Sequence, residues 1–219
     1  HTISKEQIAQ LHLGEENFDW IVFINGQLHK ELSKISIENV EFLSFNFALN
    51  DAKHKEVFDN YFNTIAAKDL AFTNLNEAFC KHGFFLKVPK NMVIEKPIHV
   101  FYISKNQQEN TFYNTRNLLI AEAGSKVEII ESHHNFDDTF VFTNSVTEIF
   151  TYQNAKADWH KVQNDSDTSY LMDHTFAKQE RDSLTTVNTF TFGGKLVRNN
   201  LDFIHNGENI NSFMNGITI

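Results

Sequence analysis

The sequence predicts a mainly β protein, with a strand-rich core over residues 83–219 preceded by a smaller mixed α/β region over residues 1–82. Three observations lead there. First, helical periodicity nearly vanishes after Gly83. Apolar residues instead alternate with a period of two in Phe84-Leu86-Val88, Ile98-Val100-Tyr102, Val127-Ile129, Phe190-Phe192 and Leu201-Phe203, as they do in half-buried strands. Second, the strands come mostly in pairs, each pair broken by a small or turn-forming residue. These breaks fall near Gly124, Ala155, Asp182 and Gly207, which are 31, 27 and 25 residues apart. A loose repeat of that length fits the stacked coils of a parallel β-helix. An antiparallel sandwich or jelly roll fits the same pattern, and periodicity alone leaves both open. Third, only 8 Gly and 2 Pro occur in 219 residues, which argues against a linker-rich or disordered chain.

The N-terminal elements read as follows. Ser4 and Gln7 form a capping box that opens a short helix through Leu11. Trp20 to Ile24 and Leu28 to Leu32 flank Asn25-Gly26, the signature of a type I′ hairpin. Val40 to Leu49 alternates Phe45 and Phe47 with polar neighbours and reads as a strand. From Asp51 the period changes: Val57, Phe58, Tyr61, Phe62 and Ile65 share one face of a helix ending near Lys68. A second helix, Asn74 to His82, is expected to bury Leu75, Ala78 and Phe79, with Gly83 as its C′ residue.

Composition excludes several classes of function. The net charge of −9, from 19 basic and 28 acidic residues, opposes non-specific nucleic-acid binding, which relies on neutralising phosphates. No apolar run is long enough to span a membrane. A single cysteine, Cys80, rules out an internal disulfide and fits a reducing compartment. The first residues, HTISKEQIAQ, lack the apolar region of a signal peptide and an initiator Met. The chain is therefore expected to begin inside a longer protein.

No catalytic, cofactor-binding or metal-ligating residue is assigned. His133, His134, His160, His174 and His205 fall in the strand-rich part. They lack H-E-x-x-H or tight His-x-His spacing and read as surface or half-buried histidines on strand edges. Cys80 lies among the apolar positions of a short helix and reads as a packing residue. The carboxylate pairs Asp137-Asp138, Asp165 with Asp167, and Glu180 with Asp182 sit among Asn, Ser and Thr and read as solvated turns. Gly193-Gly194 is a turn between strands, and no phosphate loop or nucleophile elbow is present.

Seven motifs, grouped in five stretches of the chain, carry a family resemblance. LNEAF (Leu75 to Phe79), GFFLKVPK (Gly83 to Lys90) and EKPIHV (Glu95 to Val100) come first. TRNLLIAEAGSKVEIIES (Thr115 to Ser132), TNSVTEIFTYQNAKADWHKVQN (Thr143 to Asn164) and GGKLVRNNLDFIHNGENINSFMNG (Gly193 to Gly216) follow, with FINGQLHKELS (Phe23 to Ser33) upstream. Together they resemble the SufD family of the SUF iron–sulfur cluster assembly system, close kin to SufB, from about residue 20 to 219.

The resemblance implies a right-handed parallel β-helix flanked by helical segments. It also implies a non-catalytic scaffold subunit of the cytoplasmic SUF complex, pairing with a SufB-like subunit and a SufC-type ATPase; self-pairing into a homodimer is a further expectation. The family is normally about twice as long, with further coils and a C-terminal helical domain that contacts the ATPase. The chain is thus expected to represent the N-terminal region and first coils. It would hold no cofactor itself, a transient iron–sulfur cluster belonging to the full complex. Cys80 and the histidines do not match the family's cluster-assembly positions. Arg116, Glu131, Glu148 and Arg198, which fall within matching motifs, are expected to serve coil structure and internal hydrogen bonding. The alternatives are a SufB-like cluster scaffold, for which extra cysteines would be expected, and a carbohydrate-active β-helix enzyme, for which a carboxylate-lined groove and a secretory signal would be.

Overall fold

The computed structural model describes residues 3–11, 18–105, 110–136 and 139–219. The N-terminal part contains α1 (Lys5–Leu11), β1 (Asp19–Ile24), β2 (Gln27–Leu28), β3 (Glu41–Ser44), α2 (Phe45–Asn50), α3 (Lys55–Tyr61) and α4 (Ala71–Phe79). Then come β4 (Phe84–Val88), β5 (Ile98–Ser104), β6 (Thr111–Ala121), β7 (Lys126–Asn135) and β8 (Val141–Thr151). The last are β9 (Lys156–Gln163), β10 (Ser169–Glu180), β11 (Leu184–Thr191), β12 (Leu196–Asn206) and β13 (Asn211–Thr218). Strand accounts for 52% of the chain and helix for 16%.

From β4 onward the chain winds as a parallel β-solenoid of about four turns. Even-numbered strands stack in the order β12-β10-β8-β6-β4, and odd-numbered strands as β13-β11-β9-β7-β5, continued by β1. Each of these pairings is parallel, which excludes the antiparallel sandwich. The four breaks legible in the sequence are the turns that join the two strands of each coil. They stack as well: Gly124 N–H donates to Gln153 O at 2.9 Å, and Asp182 N–H to Glu208 O at 2.9 Å. Gly124, Asn154, Asp182 and Asn209 all take positive φ there, a conformation that Gly, Asn and Asp tolerate best.

Between the sheets lies the main core, including Phe84, Leu86, Val88, Ile98, Val100 and Trp159. The early strands β1, β4 and β5 are apolar and largely buried on both faces, because both faces are covered in the early coils. α2 and α3 seal the outer face of the even sheet with Phe45 and Phe58 against Phe85, Leu118 and Ile120. On the odd sheet, Ile3 and Ile8 pack with Val22, Phe101 and Ile103. The first edge of each sheet is closed by an antiparallel strand, β2 on β1 and β3 on β4, so neither presents a long unpaired edge at that end.

The N-terminal elements follow the sequence pattern with four departures. The capping box forms as expected: Ser4 Oγ accepts from Gln7 N–H at 3.3 Å, and Gln7 Oε1 accepts from Ser4 N–H at 3.2 Å. Asn25 and Gly26 take φ of 50° and 79°, as a type I′ turn requires. The second hairpin arm is shorter than expected, since Lys30–Leu32 form a 3-10 turn. The chain leaves the β1 edge there and rejoins it where Trp20 and Lys34 exchange backbone hydrogen bonds of 2.8 Å.

The strand expected over Val40 to Leu49 is half strand and half helix. β3 pairs from Glu41↔Lys87 to Ser44↔Phe84 and runs out where β4 begins. The chain then turns into α2, burying Phe45 and Ala48 while Phe47 faces solvent. Next, α3 ends at Tyr61 and Asn63 takes φ 59°, so Ile65 packs from beyond the helix.

Finally, α4 spans Ala71–Phe79 and turns a different face inward. Thr73 and Asn76 are buried and Phe79 is 61% exposed. Gly83 is not a helix C′ residue, because α4 has already ended. Its φ of 102° and its closeness to Arg116 explain it: a Cβ there would collide with the Arg116 carbonyl, just where the chain enters the solenoid. Among the described residues, no helix is long and apolar enough to cross a membrane.

Candidate functional site

The period-two alternation that makes the core also carries polar side chains into it. On β7, Val127, Ile129, Glu131 and His133 share the inward face. The neighbouring strand aligns Trp159 with Ile129, Lys161 with Glu131 and Gln163 with His133. From the opposite sheet, Asp173 and Thr175 on β10 meet them. Lys161 Nζ donates to Asp173 Oδ2 at 2.6 Å and to Thr175 Oγ1 at 2.7 Å. Glu131 lies between His133 Nε2 at 2.8 Å and Trp159 Nε1 at 2.9 Å. Both pairs are almost wholly buried.

Electrostatics follow from this packing. Burial acts against the Glu131 carboxylate, but the Lys161 charge and the hydrogen bonds from His133 and Trp159 outweigh it and hold its pKa well below the usual range. For His133, burial opposes the charged form. The Glu131 hydrogen bond and the charges of Glu131, Asp165 and Asp173 overcome it and raise the pKa. Burial raises the Asp165 carboxyl, against the opposing pull of His133. His134 goes the other way, to about 4, through burial and the neighbouring His133 charge. A cavity of about 20 Å³ opens beside His133, lined also by His134, Asp165, Tyr102, Tyr113 and Thr143.

A second charged centre lies on the outer face of the even sheet. Arg116 on β6 pairs with Glu148 on β8, both fully buried. The N-terminal segments cover the pair. Asn63 N–H donates to Glu148 Oε2 at 2.9 Å and Ile65 N–H to Oε1 at 3.4 Å. Asn63 and Asn76 side-chain oxygens each accept from the guanidinium at 3.4 Å, and the Phe62 ring lies 4.9 Å from it. Asn76 also donates to the Thr115 and Asn144 carbonyls, both at 2.9 Å. Asn76→Ala is therefore expected to lower stability by about 1–3 kcal/mol, through buried acceptors left without a donor, as read by urea denaturation.

The residues weighed in the sequence are scattered by the fold. His160 is partly exposed, near Glu128 and Asn188, and His205 is exposed beside Ser212. His133 and His174 are buried, unlike the strand-edge histidines expected. Cys80 is buried, with its thiol directed at the Glu77 carbonyl at 3.6 Å and its pKa raised by burial. That is the setting of a packing thiol rather than a metal-ligating thiolate. Asp165 turns inward, whereas Asp167 is exposed. Glu180 and Asp182 belong to the stacked turns, bonded to Asn206 and Asn209. Asp137 and Asp138 lie outside the described residues.

Arg116, Glu131 and Glu148 make internal hydrogen bonds as expected, while Arg198 is exposed and bonds Asn200 at 3.3 Å. Sequence reasoning missed Lys161 and Asp173. The signal was the spacing Ala157-Trp159-Lys161-Gln163, which puts Lys161 on the face of a core tryptophan. Among the described residues, no group of three or more His, Cys, Asp or Glu could hold a metal ion.

Comparisons with known proteins add the following. Residues 102–219 match the family described as "SUF system FeS cluster assembly, SufBD core domain", and residues 10–100 match "SufBD protein N-terminal region". The chain is 25% identical over 205 residues to the iron–sulfur cluster assembly SufBD family protein slr0076 of Synechocystis, covering 90% of this chain and 45% of that protein. It is 25% identical over 174 residues to a SufBD family protein of Staphylococcus saprophyticus, covering 76% and 37%. It is 30% identical over 136 residues to protein ABCI7, chloroplastic, of Arabidopsis thaliana, covering 59% and 29%. The chain thus spans less than half the length of these curated relatives.

Proposed function

The chain belongs to the SufBD family of iron–sulfur cluster assembly proteins, and from that premise we propose that it is part of a SufD-like, non-catalytic scaffold subunit. In this reading it works in the cytoplasm, pairs with a SufB-like subunit and acts with a SufC-type ATPase. Family membership supports the involvement in cluster assembly. The observation that carries the non-catalytic role is the state of the donor groups. The sole cysteine is buried with its thiol on a backbone carbonyl. The interior Glu131–His133 and Lys161–Asp173 pairs hold one another. Such groups build a rigid frame and leave few donors for a cluster, which in this reading is cargo held elsewhere in the assembled complex.

The test uses the whole protein that carries this chain. Tagged and co-expressed with SufB-type and SufC-type subunits, it is expected to recover both in a stable complex. Anaerobic reconstitution with iron and sulfide is then expected to give the same cluster absorbance for the wild type and Cys80→Ala. A cluster that forms on this subunit alone and disappears in Cys80→Ala would overturn the scaffold reading. Failure to recover either partner would overturn the complex.

A further inference from the structure

Among the described residues, the interior of the solenoid contains a charge imbalance that a proton on His133 would close. Glu131 and Asp173 are two carboxylates with side chains 1% exposed, and Lys161 is the single ammonium among them. Two negative charges against one positive leave an excess that a low-dielectric interior tolerates poorly. His133 stands against Glu131 at 2.8 Å with its side chain 6% exposed. Its ring stacks on Tyr102, with centroids 5.1 Å apart.

We propose that His133 carries a proton in the folded protein, completing a neutral set with Glu131, Lys161 and Asp173, and that this set acts as a pH-sensitive lock on the solenoid core. The cavity of about 20 Å³ at its side has room for one water, enough to carry the proton in and out. Asp165 Oδ1 is buried without a partner among the described residues, an acceptor suited to that water.

Every titratable or charged group that faces His133 bears on this lock. From its own strand come Glu131 and His134, from β9 Lys161, from β10 Asp173, and from the segment between those two strands Asp165. Tyr102 lies on β5 and Tyr113, across the cavity, on β6. His134 is pushed towards its neutral form, so it adds no second positive charge. Burial pushes the Tyr102 hydroxyl well above its ordinary value, with Glu131 adding to the effect, so it adds no negative one. Asp165 is shifted towards its neutral form by the same burial. Were it ionised, it would hold the His133 proton more firmly still.

The raised pKa of His133 fixes the direction of the pH effect. The folded protein keeps this proton at pH values where the unfolded chain has released it. Its stabilisation is complete below about pH 6.5, the ordinary histidine value. It is lost as pH rises through the folded-state midpoint.

The test is a titration of Cε1-labelled histidines by NMR in the whole protein, with His133 assigned through His133→Gln. The wild-type midpoint is expected above that of an unfolded histidine. Glu131→Gln should lower it, with the proton dissociation constant rising about tenfold or more. The melting temperature of the wild type should fall across that pH range, and that of His133→Gln should not. A midpoint at or below the ordinary value would overturn the proposal, as would one that Glu131→Gln leaves unchanged. Should Glu131→Gln fail to fold, Asp173→Asn provides the second reading: it removes the other carboxylate charge of the set, so a smaller downward shift of the His133 midpoint is expected, and no shift would count against the lock.

Discussion

Replacing Arg116 with methionine is expected to destabilise the protein by about 3–5 kcal/mol, the cost of leaving a buried partner charge uncompensated. Glu148 has no access to solvent. Without the guanidinium it keeps, among the described residues, the backbone donors of Asn63 and Ile65. The damage should not stop at one ion pair. Arg116 also bonds the side chains of Asn63 and Asn76 and lies against Phe62, so it joins the segment after α3, α4 and two coils at one point. Loss of this joint is expected to free the N-terminal helices before the coils unwind, giving a urea transition with a lower midpoint and a distinct first phase. Arg116→Met combined with Glu148→Leu should cost less than the sum of the single changes, because no charge is then stranded. A single Arg116→Met cost below about 1 kcal/mol, the range of exposed pairs, would mean that water reaches the site.

Trp159→Ala is expected to cost about 3–5 kcal/mol, as large aromatic truncations in cores do. Trp159 is fully buried between the sheets, and its ring stacks on Phe84 with centroids 5.7 Å apart. It is also the donor to Glu131 Oε2 at 2.9 Å. Truncation therefore opens a void and removes one of the groups that make the Glu131 charge tolerable. Trp159→Phe separates the two effects: it fills most of the volume and removes only the N–H donor. Its cost should be nearer 1–3 kcal/mol, roughly that of an unsatisfied buried acceptor. Equal costs for the two variants, measured by urea unfolding at fixed pH, would assign the whole effect to the hydrogen bond.

These two sites illustrate how far the sequence could be read. The inward position of Trp159 was within reach of the sequence, since the spacing Ala157-Trp159-Lys161 shares one face, but the alternation was not among those read. The partner of Lys161 was out of reach. Asp173 lies on the opposite sheet, and no local spacing announces which residues meet across a core. α4 was misread for a related reason. Leu75, Ala78 and Phe79 mark its apolar positions, yet Thr73 and Asn76 are turned inward. Asn76 lies over the buried Thr115 and Asn144 carbonyls and the buried Arg116 guanidinium, so hydrogen-bond demand from β6 and β8 turns it inward against the helix's own amphipathicity. Likewise, Phe45 and Phe47 alternate like strand residues, but β3 had no partner left beyond Phe84.

By itself, the sequence determined the strands and the rhythm of the turns between them. Alternation defines the strands, and small or left-handed-tolerant residues near Gly124, Ala155, Asp182 and Gly207 set the turns, because both are local steric demands. Motifs in a fixed order pointed to the family as well. Only the tertiary structure decided that the strands pair in parallel, which helix face turns inward, and that His133 is interior rather than on a strand edge. Those outcomes depend on what stands one coil away or across the core. That is a distance in space which spacing along the chain does not encode.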